Sequence, residues 1–338
     1  MTAAQAHQDR QVLVVGLVAI IAVYFLILVG GTVRATGAGM GCPDWPLCFG
    51  QIIPPTSEDQ LPPNWRQTYA DRGYDTAPFE PIKTWIEYIN RLVGVTIGIL
   101  IIGFVAVSAR YRRVDPPVFW VAVLALVAVA FNGWLGSKVV SSNLKPVMIS
   151  LHMAGAFVVQ MALIYATTRA CRERLSAQMT RVVGAGLPPW FRPLLLITLA
   201  ALVVQIVLGL QIRESVDLIS RSASDVERRQ WIELVPQIFY VHRSFSWVIL
   251  LLAAGLTYRV LRSSLRATVV GRASLGLVLL VVFEMLLGGA LNHLGFPAIA
   301  QPVHLLTAHL IYGVLWFQWC LLSVNQHSSL HLNRNAYV

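Results

Sequence analysis

Eight long apolar runs dominate this chain, near residues 12–33, 86–108, 117–137, 147–168, 194–212, 237–258, 273–291 and 303–324. Each has about the 20 residues that a helix needs to cross a bilayer. Lipid offers no partner to open backbone groups, so a crossing segment must be a helix or a strand of a closed barrel. Barrel strands alternate over short stretches, whereas these runs are continuous. The expected fold is therefore an all-α membrane protein with eight transmembrane helices. Charged residues make up 12% of the chain, about half the share usual in a soluble domain, and mean hydropathy is +0.64.

The net charge of +10 is distributed as topogenic charge. Arg110, Arg112 and Arg113 lie between runs two and three. Arg169, Arg172, Arg174, Arg181 and Arg192 lie between four and five, and Arg259, Arg262, Arg266 and Arg272 between six and seven. The loop between runs seven and eight has no Arg or Lys. Basic loops stay on the cytoplasmic side, so both termini are expected there. No compact basic domain exists to bind nucleic acid. Met1 to Gln11 is short for a transit peptide, and no small-residue cleavage site follows the first run, so that run is expected to be retained. A bacterial cytoplasmic (inner) membrane is the expected location.

The chain repeats itself. Asn90-Arg91 and His242-Arg243 lie 152 residues apart, and Leu135-Gly136 and Leu287-Gly288 keep the same offset, as do His152 and His304. Gly30-Gly31-Thr32-Val33-Arg34 resembles Gly209-Leu210-Gln211-Ile212-Arg213 at an offset of 179. Four crossings per copy give two copies in one orientation, a parallel repeat. The expected units are residues 1–175 and 176–338, joined by a basic linker near 170–192. The stretch 35–85, rich in Pro, Gly and aromatic residues, is expected to be an ordered outer cap with little regular structure.

His242 follows Pro236, and His304 follows Pro302, each near the outer start of its helix. Two neutral imidazoles on facing helices can hold one iron from both sides, as in b-type haem bundles. The first copy has His152 but Asn90 in the partner position, which leaves an iron there with one protein ligand and an open face. Glu87 lies one turn before Asn90, on the same helix side. It can complement the helix dipole or serve as a proton acceptor. Glu284 is mid-helix, opposite Asn132 in the repeat, and is expected to face the bundle interior. Arg34, Arg91, Arg213 and Arg243 can fork onto haem propionates or snorkel to the interface. Cys42 and Cys48 flank Pro43-Asp44-Trp45-Pro46-Leu47 on the oxidising side, where a disulfide and two free thiols are both open. His309 is turned away from His304 on the helix and is expected not to ligate. His7, His327 and His331 are tail residues, and His293 a loop residue.

This ordered set resembles the heme A synthase family over nearly the whole chain. It comprises the glycine-rich segment from Gly30 to Gly39, Cys42 to Cys48, Glu87 with Arg91, and the repeated His-Arg and His positions. The resemblance implies oxidation of a haem O methyl substituent to formyl, giving haem A. It further implies haem b in the C-terminal four helices, held by His242 and His304 with Arg213 and Arg243. The substrate haem would lie in the N-terminal four, with His152, Arg34 and Arg91. Glu87 and Asn90 are the candidate catalytic pair. Where the family usually has Glu-x-x-His-Arg, this chain reads Glu87-Tyr88-Ile89-Asn90-Arg91, and Gly295 to Val303 lacks the second Cys pair of many members. The expected partners are the membrane enzyme that makes haem O, an electron acceptor, the bilayer and further copies of the chain. A bis-His electron-transfer cytochrome is the competing reading. It needs neither Glu87 nor Asn90. A transporter would gather its polar groups at mid-bilayer, whereas these gather toward one surface.

Overall fold

The computed structural model describes residues 3–172, 175, 188–222 and 228–335. Eight long helices account for most of them: α1 (Ala3–Ala35), α2 (Pro81–Ser108), α3 (Pro116–Ser141), α4 (Pro146–Ala170), α5 (Phe191–Ser222), α6 (Ile238–Leu261), α7 (Val269–His293) and α8 (Ala300–Asn335). The first seven contain stretches long and apolar enough to cross a membrane. The eighth expected run, 303–324, lies within α8, whose side chains are described only to Leu321. Most of the linker near 170–192, with Arg174 and Arg181, lies outside the described residues, as do the side chains of His7, His327 and His331.

Local sequence sets the helix starts. Pro81, Pro116 and Pro146 occupy the first turns of α2, α3 and α4, where a missing N–H costs nothing and φ is already helical. Thr268 caps α7 by accepting from the Val270 amide at 3.2 Å, so that helix starts before the expected 273. At its other end α7 runs through His293, which is a helix-terminal residue rather than a loop residue; the chain turns at Gly295 with φ +71°.

The first four helices pack as a ring, α1 on α2, α2 on α3, α3 on α4 and α4 on α1. The last four do likewise, α5 on α6, α6 on α7, α7 on α8 and α8 on α5. Each ring has its own apolar core. Val23, Ile97, Ile101, Phe104 and Leu163 fill the first, and Leu195, Leu256, Leu277 and Leu315 the second. Contacts of α8 with α1 and α4 join them. Outward side chains such as Ile21, Leu251 and Leu279 are two-thirds or more exposed. Exposed apolar surface of that extent is a liability in water and the normal face of a helix in lipid.

The 35–85 stretch has little regular structure, as expected. Three short helical turns punctuate it, Glu58–Gln60, Trp65–Thr68 and Ala70–Arg72. Its centre is Phe49, fully buried, which meets the rings of Trp65, Tyr69, Tyr74 and Phe79 edge-on at 5.3–5.9 Å. Cys42 and Cys48 are joined by a disulfide.

Candidate functional site

Three imidazoles and one amide stand at related places in the two rings, each opposite a glycine of the preceding helix. A Cβ on Gly136 of α3 would lie 3.3 Å from Cε1 of His152 on α4. One on Gly209 of α5 would lie 3.2 Å from Cε1 of His242 on α6, and one on Gly288 of α7 would lie 3.6 Å from Cε1 of His304 on α8. The fourth pair is Gly30 of α1 and Asn90 of α2, at 3.7 Å from Oδ1. These are the repeated positions of the sequence. A Cβ would be tight against the ring at Gly136 and Gly209 and in ordinary contact with the neighbouring side chain at Gly288 and Gly30.

The three imidazoles differ in what holds Nδ1. His152 Nδ1–H donates to the Asn132 carbonyl at 3.0 Å. A carbonyl only accepts, so the proton is on Nδ1 and Nε2 carries the lone pair that a metal needs. His304 Nδ1 stands 3.2 Å from Oε1 of Glu284. His242 Nδ1 is buried with no partner, while its carbonyl accepts from Gln205 Nε2 at 3.1 Å. His242 and His304 each stand four residues after the first residue of their helix, and they are within electrostatic reach of each other. Among the described residues Asn90 Oδ1 and Glu284 Oε2 are likewise buried without hydrogen-bond partners, and His304 Nδ1 has the Glu284 contact but no well-aligned hydrogen bond.

Glu87 and Asn90 diverge. The Glu87 carboxylate accepts from the Cys42 amide at 2.8 Å and pairs with Arg91. Arg91 also donates to the carbonyls of Asp44 at 2.7 Å and Leu47 at 2.8 Å. The two side chains thus fasten the disulfide loop to α2, while Asn90 faces α1. The other arginines separate too. Arg34 and Arg213 converge on Asp217, at 2.7 and 3.0 Å. Arg34 reaches on to Gln301 of α8, and Arg213 to Ser150 of α4 at 2.6 Å. Arg243 is exposed and lies over the rings of Phe239 and Tyr240.

Sequence reasoning missed Asp217, whose only signal is its place four residues after Arg213. It also missed a buried polar cluster between the rings. His309 Nδ1–H donates to Gln160 Oε1 at 3.0 Å, Gln160 Nε2 donates to the Tyr24 hydroxyl at 2.9 Å, and the His309 ring stacks on Phe157 with centroids 3.8 Å apart. Phe157 and His309 are themselves 152 residues apart. His309 is thus occupied between the halves, away from His304.

The donor set fits a haem. It combines three imidazoles, glycines beside them, and a buried Nε of Arg213 with no partner among the described residues, a donor suited to a propionate. The fold defines a multi-pass helical membrane protein. The family model described as cytochrome oxidase assembly protein, COX15-CtaA, matches residues 13–316, and the chain belongs to that family. Among similar proteins is the Heme A synthase of Shewanella oneidensis, 31% identical over 54% of this chain and 51% of its own length. That of Shouchella clausii is 24% identical over 87% and 96%, and that of Halalkalibacterium halodurans 22% over 94% and 99%. The first of these matches spans about half of the relative, and the other two nearly all of it.

Proposed function

We propose that this chain is a haem A synthase, a membrane oxidoreductase that converts a haem O methyl substituent to formyl. The observation that carries the reading is the set of four glycine-faced positions, filled by His242 and His304 in one half and by His152 and Asn90 in the other. Two imidazoles saturate an iron and suit electron transfer, whereas one leaves a face for reaction. The eight helices then form two parallel-repeat four-helix units, 1–175 and 176–338, with both termini on the cytoplasmic side of a bacterial inner membrane.

In this reading His242 and His304 would hold haem b, and Arg213 and Arg243 would serve its propionates. His152 would be the protein ligand to haem O, and Arg34 and Arg91 would serve its carboxylates. A bound haem supplies the iron redox chemistry. The chain's residues position it and handle protons. The Asn132 carbonyl keeps the His152 proton on Nδ1, and the Asn90 amide offers a hydrogen bond on the open side. Glu87 provides a carboxylate for protons released as the methyl is oxidised. Arg91 and Glu87 also fasten the Cys42–Cys48 loop to α2 beside Asn90. The membrane enzyme that makes haem O is the expected donor; a water supplies the formyl oxygen, and a separate acceptor takes the four electrons.

Haem extraction from cells supplied with haem O tests this. Glu87→Gln and His152→Ala should each lower haem A yield strongly while the haem b spectrum stays. Normal haem A yield from both variants would sink the assignment.

A further inference from the structure

We propose that Glu284 is a positioning residue for His304 that sets the reduction potential of the haem in the second half. The inference rests on the haem b site just described and goes beyond it to how one ligand is tuned. Glu284 lies on α7, and its Oε1 stands 3.2 Å from Nδ1 of His304 on α8. The carboxyl is enclosed, its side chain 17% exposed, and Oε2 has no hydrogen-bond partner. Among the described residues its charged neighbour is His304, so the carboxyl is directed at that imidazole.

The repeat supplies the comparison. Glu284 is the counterpart of Asn132, 152 residues earlier, just as His304 is the counterpart of His152. Both positions on the third helix of a half hold Nδ1 of a histidine on the fourth. In the first half the holder is the Asn132 backbone carbonyl alone, at 3.0 Å; in the second the Glu284 carboxyl stands beside the imidazole in addition to that residue's own backbone carbonyl. Either acceptor fixes the proton on Nδ1 and leaves Nε2 for iron. They differ in charge. A carboxylate draws the Nδ1 proton more strongly, makes Nε2 a stronger donor, and stabilises the additional positive charge of ferric over ferrous iron. The low-dielectric surroundings strengthen that effect. The same helical position thus holds a ligand of ordinary strength in one half and a strengthened ligand in the other.

The test uses the purified full chain with its haem, read by potentiometric titration, electron paramagnetic resonance and haem-to-protein ratio. Glu284→Gln keeps an acceptor of the same size and removes the charge. It should keep the low-spin two-imidazole signal, shift the midpoint potential to more positive values and change the ligand-field splitting. Glu284→Asp keeps the charge and should stay closer to the parent potential. A Gln variant that titrates at the parent potential with an intact signal overturns the inference. If the Gln variant fails to retain haem, the Asp variant decides: retention near the parent potential supports the role of charge, and equal loss overturns it. Failure of the underlying site reads differently, as a parent low-spin signal that survives His304→Ala.

Discussion

A Cβ on Gly209 would press on the His242 ring from 3.2 Å, whereas one on Gly255 would meet nothing within 4 Å. Both glycines belong to the C-terminal ring, so the pair separates a requirement for space at the ring from a general effect of filling a helix glycine. Gly209→Val should therefore lower the haem b to protein ratio severalfold, because branching at Cβ forces the imidazole from its place. Gly255→Ala should leave the ratio unchanged. Pyridine haemochrome quantitation of the purified variants checks both. The recurrence of these glycines was legible in the sequence as a repeat, but their purpose was not. Spacing reveals that two positions correspond, and only the packing shows that the ring on the next helix needs the room. Glu284 was legible as an interior acid for the same reason, and its partner was not, since α7 and α8 meet through a turn whose geometry no periodicity encodes.

At the scale of elements, the 35–85 loop behaves as a small folded unit fastened to α2. Besides the Phe49 ring cluster, it is held by Asp44, which accepts from the Phe49 and Gly50 amides at 2.7 Å and from the Tyr69 hydroxyl at 3.3 Å. Burial, then the Asp44 carboxylate, push the Tyr69 hydroxyl up to about 12, from about 10 in an unfolded chain. A raised value favours the neutral form in the folded loop. Its contribution is complete below about pH 10 and lost as pH rises through about 12. Ultraviolet titration should show tyrosinate absorbance rising near pH 12, to which Tyr111 also contributes, and Tyr69→Phe should remove part of it; a midpoint near 10 for Tyr69 would contradict the reading. The Asp217 tie is a second element-level device. It brings α1, α4, α5 and α8 together through Arg34 and Arg213. Asp217→Asn leaves two guanidinium groups without their carboxylate, and breaking a buried pair in this way costs about 3–5 kcal/mol. The thermal midpoint in detergent should fall clearly, and an unchanged midpoint would show that the tie is dispensable.

For the whole molecule, the two rings are alike in their glycine notches and unlike in what fills one of them. Asn90→His would give the first half the same pair of imidazoles as the second. The expected outcome is a second low-spin signal in cells supplied with haem O, beside the one from His242 and His304. A spectrum unchanged from the parent would mean that position 90 does not face the iron. The fold was legible at this scale because hydropathy marks each span and the 152-residue offset marks the copies. The seam was not. Gln160, His309 and Tyr24 meet between the halves, and each taken alone reads as an ordinary polar residue inside an apolar run. Their pairing depends on how α1, α4 and α8 come together, which a one-dimensional pattern does not contain.

The Asp217 tie also bears on the order in which the chain is assembled. Arg34 ends α1, and the carboxylate it pairs with is 183 residues further on. Chains emerge from the ribosome N-terminal half first, so α1 to α4 enter the bilayer before α5 has been made. Through that interval the first half carries an uncompensated guanidinium at one end of α1, and Ser150 on α4 lacks the guanidinium that will later dock on it. Arrival of α5 brings the acid and the second arginine together, on one turn of one helix. Newly inserted N-terminal halves therefore carry a charge whose carboxylate partner arrives only with their own continuation or with the α5 of another copy.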